Sequence, residues 1–130
     1  MSDDEPILKA NRAFYRHFTQ ANLTEMAALW SRSAEVVCIH PGAAPLHGYA
    51  AVMDSWKQIL ESPPEVRCID AVVCCFDDFA LVTCREILPG GQLIATNGFR
   101  REQDGFRMVH HQAGPAPARV QRRRDRLDLN

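Results

Sequence analysis

The sequence predicts an α+β protein in which three helices precede an antiparallel sheet. Up to about residue 61 the apolar residues recur at the helical period of 3.6, and from about residue 65 they alternate with a period of two. Three turn signals, Asp77-Asp78, Pro89-Gly90-Gly91 and Asp104-Gly105, divide the second half into four strands. Because the helices come first and the sheet last, we expect the helices to pack on one face of the sheet.

The first two helices are predicted from their start signals and apolar faces. The first covers 6–19, because Pro6 suits a first helical position and the acidic residues before it complement the positive end of the helix dipole. Asn22 followed by Glu25 is typical of a capping box, so a second helix begins there and stops near Ser31.

A short strand, a polar loop and a third helix follow. The apolar run at 36–39 predicts the strand, and the loop occupies His40 to His47. The third helix covers 48–61 and ends before Pro63, because proline cannot supply a helical N–H.

The last four strands are predicted at 65–76, 79–88, 92–103 and 106–113. A two-residue turn at Asp77-Asp78 would place Asp70 opposite Arg85. A three-residue loop at 89–91 would place Thr83 opposite Asn97, and a two-residue turn at Asp104-Gly105 would place Asn97 opposite Gln112.

These registers divide the sheet into a face of large residues and a face of small residues. The large residues have the volume to fill the core beneath the helices. The small-residue face is too apolar to face water and predicts a homodimer across a two-fold axis. The large residues are Val66, Val72, Phe76, Phe79, Leu81, Ile87, Leu93, Phe99, Phe106 and Met108. The small ones are Ala71, Val73, Cys75, Ala80, Val82, Cys84, Ile94, Thr96, Gly98 and Val109.

Polar residues also fall on the predicted helix-covered face, where each must be paired or must line a cavity. They are Asp70, Thr83, Arg85, Asn97, His110 and Gln112. One interpretation is structural: Asp70 pairs with Arg85, while Asn97 and His110 bind backbone groups. The other is functional: these residues surround a pocket closed by Tyr15, His40 and Trp56.

Composition narrows the function classes. At 130 residues and a net charge of −1, the chain predicts one domain over 1–115 and an Arg-rich, flexible tail over 116–130. The tail has no interleaved aromatic residues and the body is acidic, which argues against nucleic acid binding. No apolar run is long enough for a membrane span and the N-terminus lacks a signal-peptide pattern, so we expect a cytoplasmic protein.

Metal, cofactor and nucleophilic chemistry are not predicted. The five cysteines form no Cys-x-x-Cys pair and lie in apolar surroundings, which is typical of buried thiols. His110 and His111 are adjacent in a strand and point to opposite faces, so they cannot share a metal ion. We therefore expect neither a metal nor another cofactor.

The order of elements and four short segments resemble the nuclear transport factor 2-like superfamily over about residues 6–115. The resemblance is closest to its SnoaL-like branch and to bacterial relatives of the calcium/calmodulin-dependent kinase II association domain. The segments that carry it are Cys38-Ile39-His40-Pro41-Gly42, the helix start from Gly48 to Trp56, Thr96-Asn97-Gly98-Phe99, and Met108-Val109-His110-His111.

This resemblance implies a curved sheet wrapped around a long helix into a cone, with a cavity at the open end and dimers formed through the sheet. Enzymes of the superfamily abstract and transfer protons in that cavity, and ketosteroid isomerase combines a carboxylate base with an oxyanion hole. Here His40 would be the base, and Tyr15 with Asn97 or His110 would hold the oxyanion. The other residues expected to contact a hydrophobic ligand are Trp30, Trp56, Asp70, Arg85 and Phe99.

Two functions therefore remain open from the sequence. One is a pocket protein that binds a hydrophobic small molecule and catalyses proton transfer, as isomerases, cyclases and dehydratases do. The other is a non-catalytic association module whose function is to form oligomers.

Overall fold

The computed structural model describes residues 4–116 and has the predicted α+β class, with three helices and one curved sheet. The Arg-rich tail that the sequence predicts at 116–130 lies outside the described residues, except for Ala116. The helices are α1 (Asp4–Thr19), α2 (Leu23–Leu29) and α3 (Tyr49–Ile59). The strands are β1 (Val37–Ile39), β2 (Leu46–His47), β3 (Arg67–Phe76), β4 (Phe79–Leu88), β5 (Gly91–Glu102) and β6 (Gly105–Pro115).

The sheet has six strands, so the expectation of a four-strand sheet was wrong. Strands β3 to β6 form the predicted antiparallel meander, and the full order is β2-β1-β6-β5-β4-β3. β1 lies parallel to β6, with Val37 opposite His110, and β2 pairs antiparallel with β1. Local sequence patterns do not indicate this pairing, because the paired segments are about 70 residues apart in the chain.

Helix α1 lies across the concave face of the sheet. Its buried residues include Ile7, Phe14 and Phe18, spaced as the helical period requires, and Tyr15 beside them. The helix that follows begins as predicted, with the Asn22 side chain accepting a hydrogen bond of 3.1 Å from the backbone N–H of Glu25.

The predicted register between β4 and β5 was wrong by one residue. Leu88 pairs with Gly91, which leaves a two-residue turn at Pro89-Gly90, so Asn97 lies opposite Val82 and not Thr83. Because side chains alternate between the two faces, a slip of one residue moves every side chain of a strand to the other face.

Two bulges shift the other pairs of strands. In β3 the register changes between Ile69 and Val72, where Asp70 has φ of +57°, and Arg85 therefore pairs with Ile69 and not with Asp70. In β6 Gly98 pairs with His110 but Phe99 pairs with Met108, so Val109 is an extra residue. The predicted turn at Asp104-Gly105 was wrong as well, because Glu102 pairs with Gly105 and the turn lies at Gln103-Asp104. With this turn and the bulge, His111 and not Gln112 lies opposite Asn97.

These shifts reverse the predicted faces of β3 and β4. Ala80, Val82 and Cys84 are buried beneath the helices, whereas Val72 and Phe76 are exposed. The small-residue face therefore does not exist as predicted, because its β4 members form part of the core. The exposed side, which we call the outer sheet face, carries Val72, Phe76, Phe79, Leu81 and Ile94.

None of the helices within residues 4–116 has the length and apolar character needed to cross a membrane.

Candidate functional site

A cavity of about 230 Å³ lies between α1, α3, the loop after β1 and the inner face of the sheet. Its walls are mostly apolar, and three titratable side chains also reach it: His40, Glu86 and His111. The apolar lining residues are Phe18, Pro41, Ile59, Pro64, Val66, Leu88 and Leu93. An apolar cavity with a few convergent polar groups is the usual form of a small-molecule site.

Three local features bring the titratable groups together. Glu86 continues the inward row of β4 after Cys84, so its side chain points beneath the helices. The bulge at Val109 changes the alternation of β6 and turns His111 inward. His40 follows β1 directly, where the strand gives way to a turn.

The carboxyl group of Glu86 is held by a tyrosine. Tyr15 Oη donates a hydrogen bond of 2.6 Å to Glu86 Oε2, and only 2% of Glu86 is exposed. Burial raises the pKa of Glu86, because the charged form loses its hydration, while the bond from Tyr15 acts in the opposite direction. Burial and the nearby Glu86 charge raise the pKa of Tyr15, so this side chain remains a neutral phenol.

Asn97 connects Tyr15 to His111. Its Nδ2 donates to Asn11 Oδ1 at 2.9 Å and to Tyr15 Oη at 3.1 Å, which uses both amide hydrogens. Its Oδ1 is therefore the acceptor for His111 Nδ1, 2.6 Å away, and Nδ1 must carry the proton. His111 Nε2 then carries the lone pair, and burial lowers the pKa of this histidine to about 3, so the ring stays neutral.

The tautomer of His40 also follows from its partner. Its Nε2 lies 3.0 Å from Ser55 Oγ, and the Ser55 hydroxyl donates its hydrogen to the carbonyl oxygen of Val52 at 2.7 Å. Nε2 of His40 must therefore donate to Ser55, which leaves the lone pair on Nδ1. Burial lowers the pKa of His40, so the ring is neutral near pH 7 and can accept a proton.

Trp56 fixes the positions of the two histidine rings. Its ring centroid lies 5.1 Å from that of His40, nearly perpendicular to it, and 5.9 Å from that of His111. Phe14 packs against His111 from α1, with ring centroids 4.9 Å apart. Trp56 Nε1 is buried and has no hydrogen-bond partner within residues 4–116.

The structure brings together several of the residues selected from the sequence. His40 lines the cavity, while Tyr15, Asn97 and Trp56 contact the groups that line it. Phe99 is fully buried in the core on the same face of the sheet.

Four of the selected residues lie elsewhere, so their predicted positions were wrong. His110 is on the outer sheet face beside Gly98, since a Cβ added at Gly98 would lie 3.1 Å from the Cβ of His110. Arg85 is on that face too, where its ion pair with Asp70, at 3.9 Å, confirms the structural interpretation for these two residues. Trp30 borders a separate, open groove.

Two groups of the cavity were missed, Glu86 and His111, and only Glu86 had a signal in the sequence. Glu86 is the next inward position after the apolar Ala80, Val82 and Cys84, and a carboxylate that continues a buried row is unusual. His111 was assigned to the wrong face because the bulge before it carries no local mark.

The arrangement is suited to acid–base chemistry. Two neutral imidazoles and one carboxyl with a raised pKa can remove a proton at one position and return it at another. Within residues 4–116 no three His, Cys, Asp or Glu side chains are close enough to hold a metal ion together.

Comparison with known proteins relates the chain to one family. The model of the SnoaL-like domain matches residues 7–118. A candidate dehydratase of the nuclear transport factor 2-like family from Streptomyces avermitilis is 32% identical, with a TM-score of 0.80, over 89% of this chain and 97% of that one. A candidate calcium/calmodulin-dependent protein kinase type II association domain from Thiobacillus denitrificans is 38% identical, with a TM-score of 0.74, over 83% and 93%.

A longer plant protein is similar to this chain over part of its length. The F-box protein SKIP8 of Arabidopsis thaliana is 30% identical over an alignment of 109 residues, and the match covers 81% of this chain and 47% of that protein. The chain therefore spans about half the length of this relative.

Proposed function

The chain belongs to the SnoaL-like domain family, and we propose that it binds a compact hydrophobic molecule and catalyses proton transfer, as a dehydratase or an isomerase does. The observation that carries this proposal is the apolar cavity into which His40, Glu86 and His111 converge. The 32% identity to the candidate dehydratase, over 97% of that chain, supports the same class of reaction.

The size and lining of the cavity indicate the substrate class. A volume of about 230 Å³ is below the usual range for drug-sized ligands, so the molecule should be small. Walls of Phe18, Leu88 and Leu93 favour an apolar body, and the three titratable groups favour a polar end. A small hydroxycarbonyl compound meets both requirements.

In the mechanism that we propose, His40 is the base and Glu86 is the acid. Nδ1 of His40 takes a proton from the carbon next to the carbonyl group, while Glu86 in its protonated form gives one to the departing hydroxyl or to the developing oxyanion. We assign neither Tyr15 nor Asn97 to the oxyanion, because their hydrogens already bind Glu86, Asn11 and Tyr15. Their role would be to position Glu86 and His111.

Proton abstraction is measurable without the natural substrate. The purified protein is incubated in D₂O with small hydrophobic β-hydroxyketones, and proton NMR follows the loss of the hydrogen next to the carbonyl. The variant His40→Gln keeps an N–H near the position that donates to Ser55 but removes the basic Nδ1. We expect it to slow the exchange about 10²- to 10⁴-fold with little change in stability.

His47→Gln is the matched control, because His47 is exposed in β2 outside the cavity. It should exchange at the parent rate. Parent-rate exchange in His40→Gln would rule out His40 as the base, and the absence of exchange and of binding across the panel would refute the enzyme proposal.

The second candidate is an association module, and the exposed apolar residues of the outer sheet face favour it. Val72, Phe76 and Ile94 are 59%, 54% and 43% exposed, which is unusual for large apolar side chains grouped on one surface. The match to the candidate association domain, at 38% identity, covers 93% of that chain. We propose that two copies of the protein join through this face, and this is compatible with an active cavity.

Sedimentation equilibrium tests the association. Phe76→Lys places a charge on the proposed interface and should yield monomers with unchanged proton exchange. Ala50→Lys, at an exposed position on α3, adds the same charge elsewhere and should remain a dimer. A monomeric parent protein would refute the proposed interface.

A further inference from the structure

Two cysteines lie on neighbouring strands at the edge of the buried network. Cys68 in β3 lies directly opposite Glu86, and Cys84 is two positions before Glu86 in the same inward row of β4. Asn11 Nδ2 lies 3.6 Å from Cys68 Sγ, and Asn97 Nδ2, which donates to Asn11, lies 3.9 Å from Cys84 Sγ. No disulfide joins the two cysteines, so both are free thiols.

The two thiols have different surroundings. Cys84 is buried, whereas Cys68 is half-buried and borders a surface pocket of about 360 Å³. Three exposed arginines line this pocket, Arg12, Arg16 and Arg67, and Arg12 forms an ion pair with Glu5. The pocket therefore gives an anionic reagent access to Cys68 and not to Cys84.

Neighbouring side chains favour the thiolate at Cys68. The nearby Cys84 thiol favours this charged form, and Asn11 Nδ2 donates a hydrogen bond of 3.6 Å to Cys68 Sγ. Together they lower the pKa of Cys68, although its burial and the nearby Glu86 and Asp70 act in the opposite direction. The neighbouring Cys68 and burial raise the pKa of Cys84. Cys68 is also the more accessible of the two thiols, so it is the nucleophile of the pair.

We propose that Cys68 is a site of oxidative modification by glutathione disulfide and that Cys84 resolves the product. The Cys68 thiolate attacks one sulfur of glutathione disulfide, forms a mixed disulfide and releases one glutathione thiolate. The Cys84 thiol then loses its proton to solvent and attacks the Cys68 sulfur, which forms the Cys68–Cys84 disulfide and releases the second glutathione. The carboxylates of glutathione fit the arginine-lined pocket.

The bulge in β3 allows the second step. Between Ile69 and Val72 the backbone ladder with β4 is interrupted, directly beside Cys84. A shift of the backbone at this bulge would bring the two sulfurs to bonding distance. Cys84 Sγ also lies 3.3 Å from Tyr15 Oη, so the disulfide would change the surroundings of the tyrosine that holds Glu86.

The test uses the parent protein, which is incubated with glutathione disulfide near pH 7 and then digested for mass spectrometry. We expect a Cys68–Cys84 linkage to appear before modification of Cys74, which is more exposed but has no arginine-lined pocket. In Cys84→Ser a glutathionyl group should accumulate on Cys68. Cys68→Ser should leave Cys84 reduced.

A second measurement tests the arginines. The rate of Cys68 modification is compared for an anionic aromatic disulfide, dithiobis(nitrobenzoate), and a neutral one, dithiodipyridine. Arg67→Ala should slow the anionic reagent several-fold and leave the neutral one unchanged. Modification of Cys74 with Cys68 still reduced, or an unmodified Cys68 in Cys84→Ser, would overturn the proposal.

Discussion

The buried His111 should make the protein lose stability in mild acid. Burial lowers its pKa in the folded state from 6.5 to about 3. Between these values the unfolded chain binds a proton at this position and the folded chain does not, so the free energy of unfolding falls as the pH falls. Each pH unit below 6.5 contributes about 1.4 kcal/mol, so the loss at pH 5 is roughly 2 kcal/mol.

The variant His111→Asn isolates this contribution. Its amide nitrogen takes a position close to that of Nδ1 and can still donate to Asn97, but it does not titrate. Urea unfolding near pH 7 and near pH 5 gives the free energy of unfolding for the parent and the variant. We expect the decrease between the two pH values to be smaller in the variant by roughly 2 kcal/mol.

Other groups titrate in the same pH range, but their contributions to the free energy of unfolding should cancel when the parent is compared with His111→Asn. The pKa values of His17, His40 and His110 are lowered by burial, so they also remove stability as the pH falls. The raised pKa of Glu86 has the opposite sign, because its folded form binds the extra proton. The same pH dependence in His111→Asn and in the exposed control His47→Asn would refute the assignment.

Further predictions concern packing, capping and the buried pair. Gly98→Ala should destabilise the protein by about 1–3 kcal/mol in urea unfolding, because the new Cβ would lie 3.1 Å from the ring of Phe79. Asn22→Ala removes the cap of α2 and should cost about 1 kcal/mol by the same measurement. Tyr15→Phe leaves Glu86 without its donor, so we expect a loss of about 1–3 kcal/mol and a higher pKa of Glu86 by carboxyl NMR. The double variant Tyr15→Phe with Glu86→Met removes both partners of this bond and should be more stable than Tyr15→Phe alone, but without proton exchange.

Much of the fold was predictable because its signals are local. Periodicity placed the three helices and four long strands, and the cap at Asn22 and the turn at Asp77-Asp78 were correct. The sheet beyond the meander was not predictable, because the parallel pairing of β1 with β6 joins distant segments.

The candidate site depended on register, where local signals were ambiguous. Pro89-Gly90-Gly91 allows a loop of two or three residues, and that choice decides whether Cys84 and Glu86 face the core or the outside. The bulge at Val109 similarly decides between His110 and His111. The sequence placed His40, Tyr15 and Asn97 beside the cavity because none of these positions depends on both the loop at 89–91 and the bulge at Val109.

The energetics of the buried network separate the two proposed functions. Placing Glu86 and His111 in an apolar cavity opposes folding, since each group loses hydration that its hydrogen bonds only partly replace. An association module that uses the outer sheet face gains nothing from these groups, because they point to the other side of the sheet. A catalyst needs them, because only titratable side chains move protons. If the double variant at Tyr15 and Glu86 is more stable than the parent, the cavity reduces stability in the natural protein, and this trade-off is expected of an active site.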